Sequence, residues 1–213
     1  ANAVMARGTR ALAAPPVAAP ARGQGFRPRD FAFGLLGYLM FGLGYIGYMT
    51  FIVTLLREQG VGGAVIVAFY MLLGAGVIAS SWLWAPLLQR FRGGEPLAVL
   101  DALLAVATLL PVLSAHPVAV FASGALFGAV FLSVVASTTV LVRHNLPPAA
   151  WPAGIAAFTI VFAGGQIVGP VLVGWVADGP GGLVRGLALS AGALALGALL
   201  ASRQRALPNA PSH

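Results

Sequence analysis

The chain is organised by where charge is missing. Stretches without Asp, Glu, Lys or Arg cover residues 31–56, 59–89, 102–142, 144–177 and 186–202. A helix that crosses the hydrocarbon core of a bilayer needs about 20 apolar residues. The run 102–142 is too long for one crossing. It contains Pro111 and then Ser114-Ala115-His116-Pro117, a polar, proline-marked break that reads as a tight hairpin. Cutting there predicts six spans, at about 31–56, 64–88, 97–114, 117–142, 152–177 and 184–202. Open strands find no hydrogen-bonding partners in lipid, and the runs lack the alternation of a barrel, so the spans are expected to be helices. Turn residues fill the gaps: Gly60-Val61-Gly62-Gly63, Arg92-Gly93-Gly94-Glu95-Pro96, Leu146-Pro147-Pro148 and Asp178-Gly179-Pro180-Gly181-Gly182. Pro152 falls where a first helical turn tolerates it.

Composition agrees with an all-α, polytopic membrane protein. Of 213 residues, 59% are hydrophobic and 8% are charged, where a soluble domain carries about 25%. The mean hydropathy is +0.93. A single water-soluble core is excluded, and so is a disordered chain, which needs low hydrophobicity. All 12 basic residues are Arg, and the net charge of +7 raises the question of nucleic acid. The arginines sit at the ends of apolar runs, not on one basic face, so no nucleic-acid partner is expected. With no Cys, disulfides and thiol chemistry drop out.

Charge also predicts sidedness. Six spans place residues 1–30, the second and fourth loops and residues 203–213 on one side. That side holds Arg7, Arg10, Arg22, Arg27, Arg29, Arg90, Arg92, Arg143, Arg203 and Arg205; the other holds Arg57 and Arg185. Arginine marks the cytoplasmic side, so both termini are expected there, in a cell (inner) membrane. Trp82, Trp84 and Trp151 fall near the same ends, where an aromatic belt is expected. Residues 1–30 are rich in Ala, Pro and Arg and read as a flexible cytoplasmic tail or linker; residues 203–213 read as a second tail.

Candidate chemistry lies in the polar residues within the spans. In the first, Gly34, Tyr38, Phe41, Tyr45, Tyr48 and Ile52 recur at spacings of three and four and share a face. Tyr45 and Tyr48 read either as cavity lining or as packing whose hydroxyls bond a neighbour; Tyr38 lies deeper toward the cytoplasmic half. In the fourth span Ser133 and Ser137 are one turn apart, and close helix packing is the favoured reading. Gln166, near the middle of the fifth span, reads as a cavity residue or an interhelical clamp. Gly165 and Gly169 form a small-residue face beside Pro170, which removes a donor. Asp101 reads as a proton-coupling acid or as an interfacial partner for Arg90, Arg92 or Arg143. Its nearness to the end of the third span favours the interfacial partner. His116 and His144 fall on opposite sides, so they cannot share a metal, and no metal or other cofactor is expected.

Three strings resemble the major facilitator superfamily, specifically its carboxyl-terminal six-helix half. Gly165-x-x-x-Gly169-Pro170-x-x-x-Gly174-x-x-x-Asp178 is similar to the eleventh helix of such transporters. Ala85-Pro-Leu87-Leu-Gln89-Arg90-Phe-Arg92-Gly93 lies where that superfamily keeps Gly-x-Leu-x-Asp-Arg-x-Gly-Arg, with only Leu87 and Arg90 of its first positions retained. Gln89 removes the acid from the acid–base contact that gates relatives. The Gly/Tyr-rich first span, ending Tyr48-Met-Thr-Phe-Ile-Val-Thr-Leu-Leu-Arg57, resembles helix seven of YbfB/YjiJ-type transporters. The resemblance covers residues 31–202. It implies three-plus-three inverted repeats and a solute site shared with an amino-terminal six-helix half, in the same or another chain, or with a second copy in a homodimer.

The expected function is movement of a small organic solute by alternating access. Tyr45, Tyr48 and Gln166 are the first choices for the site, followed by Ser133, Ser137 and Tyr38. Gly165, Gly169, Pro170, Arg90 and Asp101 are assigned to structure or gating. A non-transporting assembly or receptor subunit is the alternative. An intramembrane enzyme is disfavoured, because Ser123 and His116 share one hairpin and helix while His144 is at the opposite surface.

Overall fold

Proline and glycine set the ends of six long helices. In the computed structural model, which describes residues 25–208, a single 3-10 turn at Pro28–Phe31 leads into α1, Ala32–Glu58. Helix α2 runs Gly63–Leu83 and, after a break at Trp84, resumes at Ala85–Arg90. The others are α3, Glu95–Leu113, α4, Pro117–Asn145, α5, Trp151–Ala177, and α6, Gly182–Ala201. All six are long and apolar enough to cross a membrane. At about 1.5 Å per residue even the 19 residues of α3 reach close to the thickness of a hydrocarbon core. The described residues contain no strand. The chain is thus an all-α, polytopic membrane protein. The reading of residues 1–24 and 209–213 as tails lies outside the described residues.

The turns are made by residues suited to them. Gly60 and Gly181 take φ values of +79° and +96°, a region that favours residues without a Cβ. At the start of α4 the amide of Val118 donates to Nδ1 of His116 at 3.3 Å, so His116 serves as a helix cap. Pro86 opens the resumed part of α2, and Nε1 of Trp84 at the break donates to the carbonyl of Ala129 at 2.7 Å. Pro111 and Pro170 lie inside continuous helices.

The packing has an exchange symmetry. Helix α1 packs on α5 and α6, α4 packs on α2 and α3, and α3 meets α6. Swapping the first three helices for the last three leaves these pairings unchanged, as in a three-plus-three inverted repeat, although α5 also packs on α6 without a counterpart between α2 and α3. Lipid offers no hydrophobic drive between helices, so close backbone approach has to hold them. Glycine provides it. A Cβ on Gly165 would sit 2.6 Å from the carbonyl oxygen of Leu39, and one on Gly169 2.6 Å from that of Leu43. At the matching α2–α4 seam a Cβ on Gly128 would come within 2.0 Å of the carbonyl oxygen of Leu73.

The two described chain ends meet at one end of the bundle, and side chains tie them down. Buried Gln204 accepts from the amide of Gly34 at 3.0 Å and donates to the carbonyl of Asp30 at 2.9 Å. Asn145 donates to the carbonyl of Arg92 at 2.7 Å and accepts from the amide of Leu207 at 2.7 Å. Residues 202–207 therefore close over the bundle end.

Coverage is uneven. The apolar windows of α2 and α5 are 22% and 17% buried, against 56% for α3. Met71, Ile78 and Trp82 on α2 and Ile160, Ile167 and Trp175 on α5 point away from the bundle.

Candidate functional site

An aromatic wall joins α1, α4 and α5. Tyr38, Phe41 and Tyr45 follow one another up α1, with centroids 5.4 Å and then 4.9 Å apart. Phe162 of α5 stacks on all three, at 5.1, 5.4 and 5.5 Å. Phe131 of α4 meets Tyr45 at 5.2 Å. Each such pair adds about 0.5–1.5 kcal/mol beyond its burial. The rings bridge α1 and α4, whose backbones are not in close contact. Nε2 of Gln166 donates to the hydroxyl of Tyr45. Gln166, Phe131 and Phe162 are each partly exposed beside the nearly buried Tyr45. This is a stacked aromatic cluster, partly exposed at Phe131 and Phe162, with one amide and one hydroxyl beside them. Hydrogen-bonding capacity in such a place suits a neutral or amphiphilic molecule.

Tyr48, one turn from Tyr45, is placed differently. It is fully buried, stacks on Phe127 at 4.1 Å, and shares a 2.6 Å hydrogen bond with Ser123. Ser123 in turn donates to the carbonyl of Ala107 at 2.7 Å. Tyr48 thus pins α1, α3 and α4 together. Ser133 donates to the carbonyl of Ser80 on α2 at 3.1 Å, and Ser137 to that of Val134 on its own helix at 2.7 Å. Both are buried packing contacts. Tyr38 is buried within the aromatic wall and lies within reach of Thr138 on α4. Of the three first-choice residues, the structure brings Tyr45 and Gln166 together and places Tyr48 elsewhere, and the second-choice Ser133 and Ser137 also lie apart from them. Phe131 and Phe162 carry no signal in the sequence beyond their apolarity.

Of the residues assigned to structure or gating, Gly165 and Gly169 sit in the α1–α5 seam, with Pro170 next to them. Arg90 is exposed, and its guanidinium lies 5.6 Å from the Phe91 ring. Arg143 covers Trp151 at 5.1 Å.

Asp101 overturns its expected role as an interfacial partner for these arginines. It is fully buried, and neither carboxylate oxygen has a hydrogen-bonding partner. Helical register explains this. Position 101 shares a face with Leu97, Leu100, Leu104 and Thr108, all buried, and that face turns inward. Oδ2 would lie 3.0 Å from a Cβ on Gly197 of α6. Among the described residues no group of three or more His, Cys, Asp or Glu is placed to hold a metal ion. Clefts of about 610 Å³ and 400 Å³ lie at the two ends of the bundle, one lined by Arg29, Arg203 and Arg205 and the other by Trp175 and Arg185.

Six apolar helices in two exchange-symmetric triplets, with a partly exposed aromatic and amide surface between them, describe a multi-pass membrane transporter bundle. The family described as Uncharacterised MFS-type transporter YbfB matches residues 3–202. The chain belongs to that family, and so to the major facilitator superfamily of membrane transporters. No curated protein and no solved structure matches it significantly.

Proposed function

We propose that the chain is the six-helix half of a secondary transporter that moves a small neutral or amphiphilic organic solute by alternating access. The observation that supports this best is the Gln166–Tyr45 hydrogen bond set in the partly exposed wall of Phe131 and Phe162. The wall stacks on an apolar or aromatic part of the solute. Gln166 and Tyr45 trade their mutual bond for bonds to its polar group. Among the described residues no arginine stands beside them, which suits an uncharged solute better than an anion.

The partner is a second six-helix half, in the same or another chain, seated against the bare faces of α2 and α5. Those faces are the least covered of the six helices. Rocking of the two halves exposes the wall to each side in turn. Arginine distribution supports both chain ends being cytoplasmic.

One observation favours a non-transporting assembly subunit instead. Arg90, the basic residue kept from the loop motif, meets Phe91 and no acid. An enzyme reading loses support from Ser123, whose hydroxyl is taken up by Ala107 and Tyr48.

Uptake by proteoliposomes holding the complete two-half assembly tests the proposal. Gln166→Ala and Tyr45→Phe are each expected to raise the KM for the solute by about fivefold to tenfold, the worth of one hydrogen bond. The amount of protein in the membrane should hardly change. A loss of uptake that only follows a loss of protein would assign both residues to packing.

A further inference from the structure

The end of the bundle where the two described chain ends meet carries a cleft of about 610 Å³. It is lined by Arg29 and Asp30 of the 3-10 turn, by Phe33 at the start of α1, and by Arg203, Gln204 and Arg205 after α6. A cleft of that size takes a small molecule or a lipid headgroup. Asp30 can neutralise only one of the three guanidinium groups, so the cleft keeps a positive surplus.

The lining is held by hydrogen bonds. Gln204 is buried, while Arg203 and Arg205 on either side of it are exposed. The Gln204 side chain donates to the carbonyls of Asp30 at 2.9 Å and Arg205 at 3.0 Å, and accepts from the amide of Gly34 at 3.0 Å. Its main-chain carbonyl accepts from the amide of Gly94 at 2.9 Å. One inward side chain thus fixes the backbone that carries all three arginines, since Arg29 adjoins Asp30 and the other two adjoin Gln204 itself. Arginines that only mark a membrane boundary need no such frame.

Three planar, permanently charged donors suit a phosphate group, which guanidinium meets with paired N–H bonds. Phosphate is available free in water or carried on a lipid, and the position of the cleft favours lipid. Phe33 lines it and is 46% exposed. Leu36, one turn on along the same side of α1, is also exposed. Exposed apolar side chains of a membrane-spanning helix face acyl chains, so the cleft lies where the headgroup layer meets hydrocarbon. Arginine distribution supports this end facing the cytoplasm, where anionic lipids gather.

We propose that the Arg29–Arg203–Arg205 cleft binds the phosphate headgroup of an anionic phospholipid, whose acyl chains run past Phe33 and Leu36 along α1. The headgroup bridges the start of α1 and the segment after α6, the same two pieces of chain that Gln204 joins from inside. Neither Tyr45 nor Gln166 lines the cleft, so the site does not rest on the transporter reading.

Native mass spectrometry of the purified full chain in neutral detergent, titrated with phosphatidylglycerol or phosphatidylcholine, tests the site. One phosphatidylglycerol should be retained more tightly than later ones and than any phosphatidylcholine. Arg203→Gln combined with Arg205→Gln should weaken that first binding by about tenfold to thirtyfold. Arg90→Gln combined with Arg143→Gln removes as much charge from residues outside the cleft and should weaken it by less than about threefold. Arg203→Lys combined with Arg205→Lys should keep part of the binding, which covers the event that the Gln pair folds poorly. Equal weakening by the two Gln pairs would reveal a diffuse positive field and overturn the proposal, as would equal retention of the two lipids. Displacement of the bound phosphatidylglycerol by inorganic phosphate would assign the cleft to a free anion and overturn the lipid site.

Discussion

Tyr45 and Tyr48 show how little separates two roles on one helix. They are three residues apart, yet Tyr45 reaches a partly exposed amide and Tyr48 a buried serine. Tyr48→Phe removes one hydrogen bond, while Ser123 keeps its bond to Ala107. A loss of about 1 kcal/mol in stability is expected, with solute KM unchanged. Tyr48→Ala opens a hole in a fully buried site and should cost about 3–5 kcal/mol, read as lower abundance and a lower melting temperature. Uptake per molecule that falls as steeply as in the Tyr45 variants would return Tyr48 to the solute site. The sequence placed both tyrosines on one stripe but could not assign them. The helices are apolar nearly all round, so periodicity does not say which edge of the stripe faces a neighbour. The direction of Asp101 is hidden for the same reason. Its distance from the helix end is legible, but which face of α3 turns inward is set by packing on α4 and α6, the latter remote in sequence.

At the scale of the helices, glycine spacing decides how closely they pack. Gly128 meets the backbone of Leu73, which cannot step aside as a flexible side chain would. Gly128→Ala should force α2 and α4 apart and cost about 1–3 kcal/mol in thermal unfolding of the purified protein. Gly164 has open space where its Cβ would be. Gly164→Ala is expected to be neutral or to stabilise by up to about 1 kcal/mol, because it removes a flexible residue from a helix interior. Equal losses in the two variants would contradict this seam. The six helices were readable from charge-free runs, because lipid forbids charge and demands internal hydrogen bonding. The Gly165–Gly169 face was readable as a packing stripe. The break at Trp84 was not, since it depends on the carbonyl of Ala129 from another helix.

The bundle as a whole is one-sided in its finish. Both described chain ends are sealed at one end by Gln204 and Asn145. The apolar faces of α2 and α5 stay bare along their length. The family places such a bundle among membrane transporters. We propose that the chain crosses six times with both ends in the cytoplasm, and the depths of Tyr45, Gln166 and Asp101 relative to the two surfaces follow from that. The most direct test is the side of the membrane on which inserted tags are reached by an impermeant reagent in intact cells. A tag after His213 should be protected and one in the Ser114–Pro117 hairpin labelled. Labelling of the tag after His213, or both tags reached from the same side, would contradict the account.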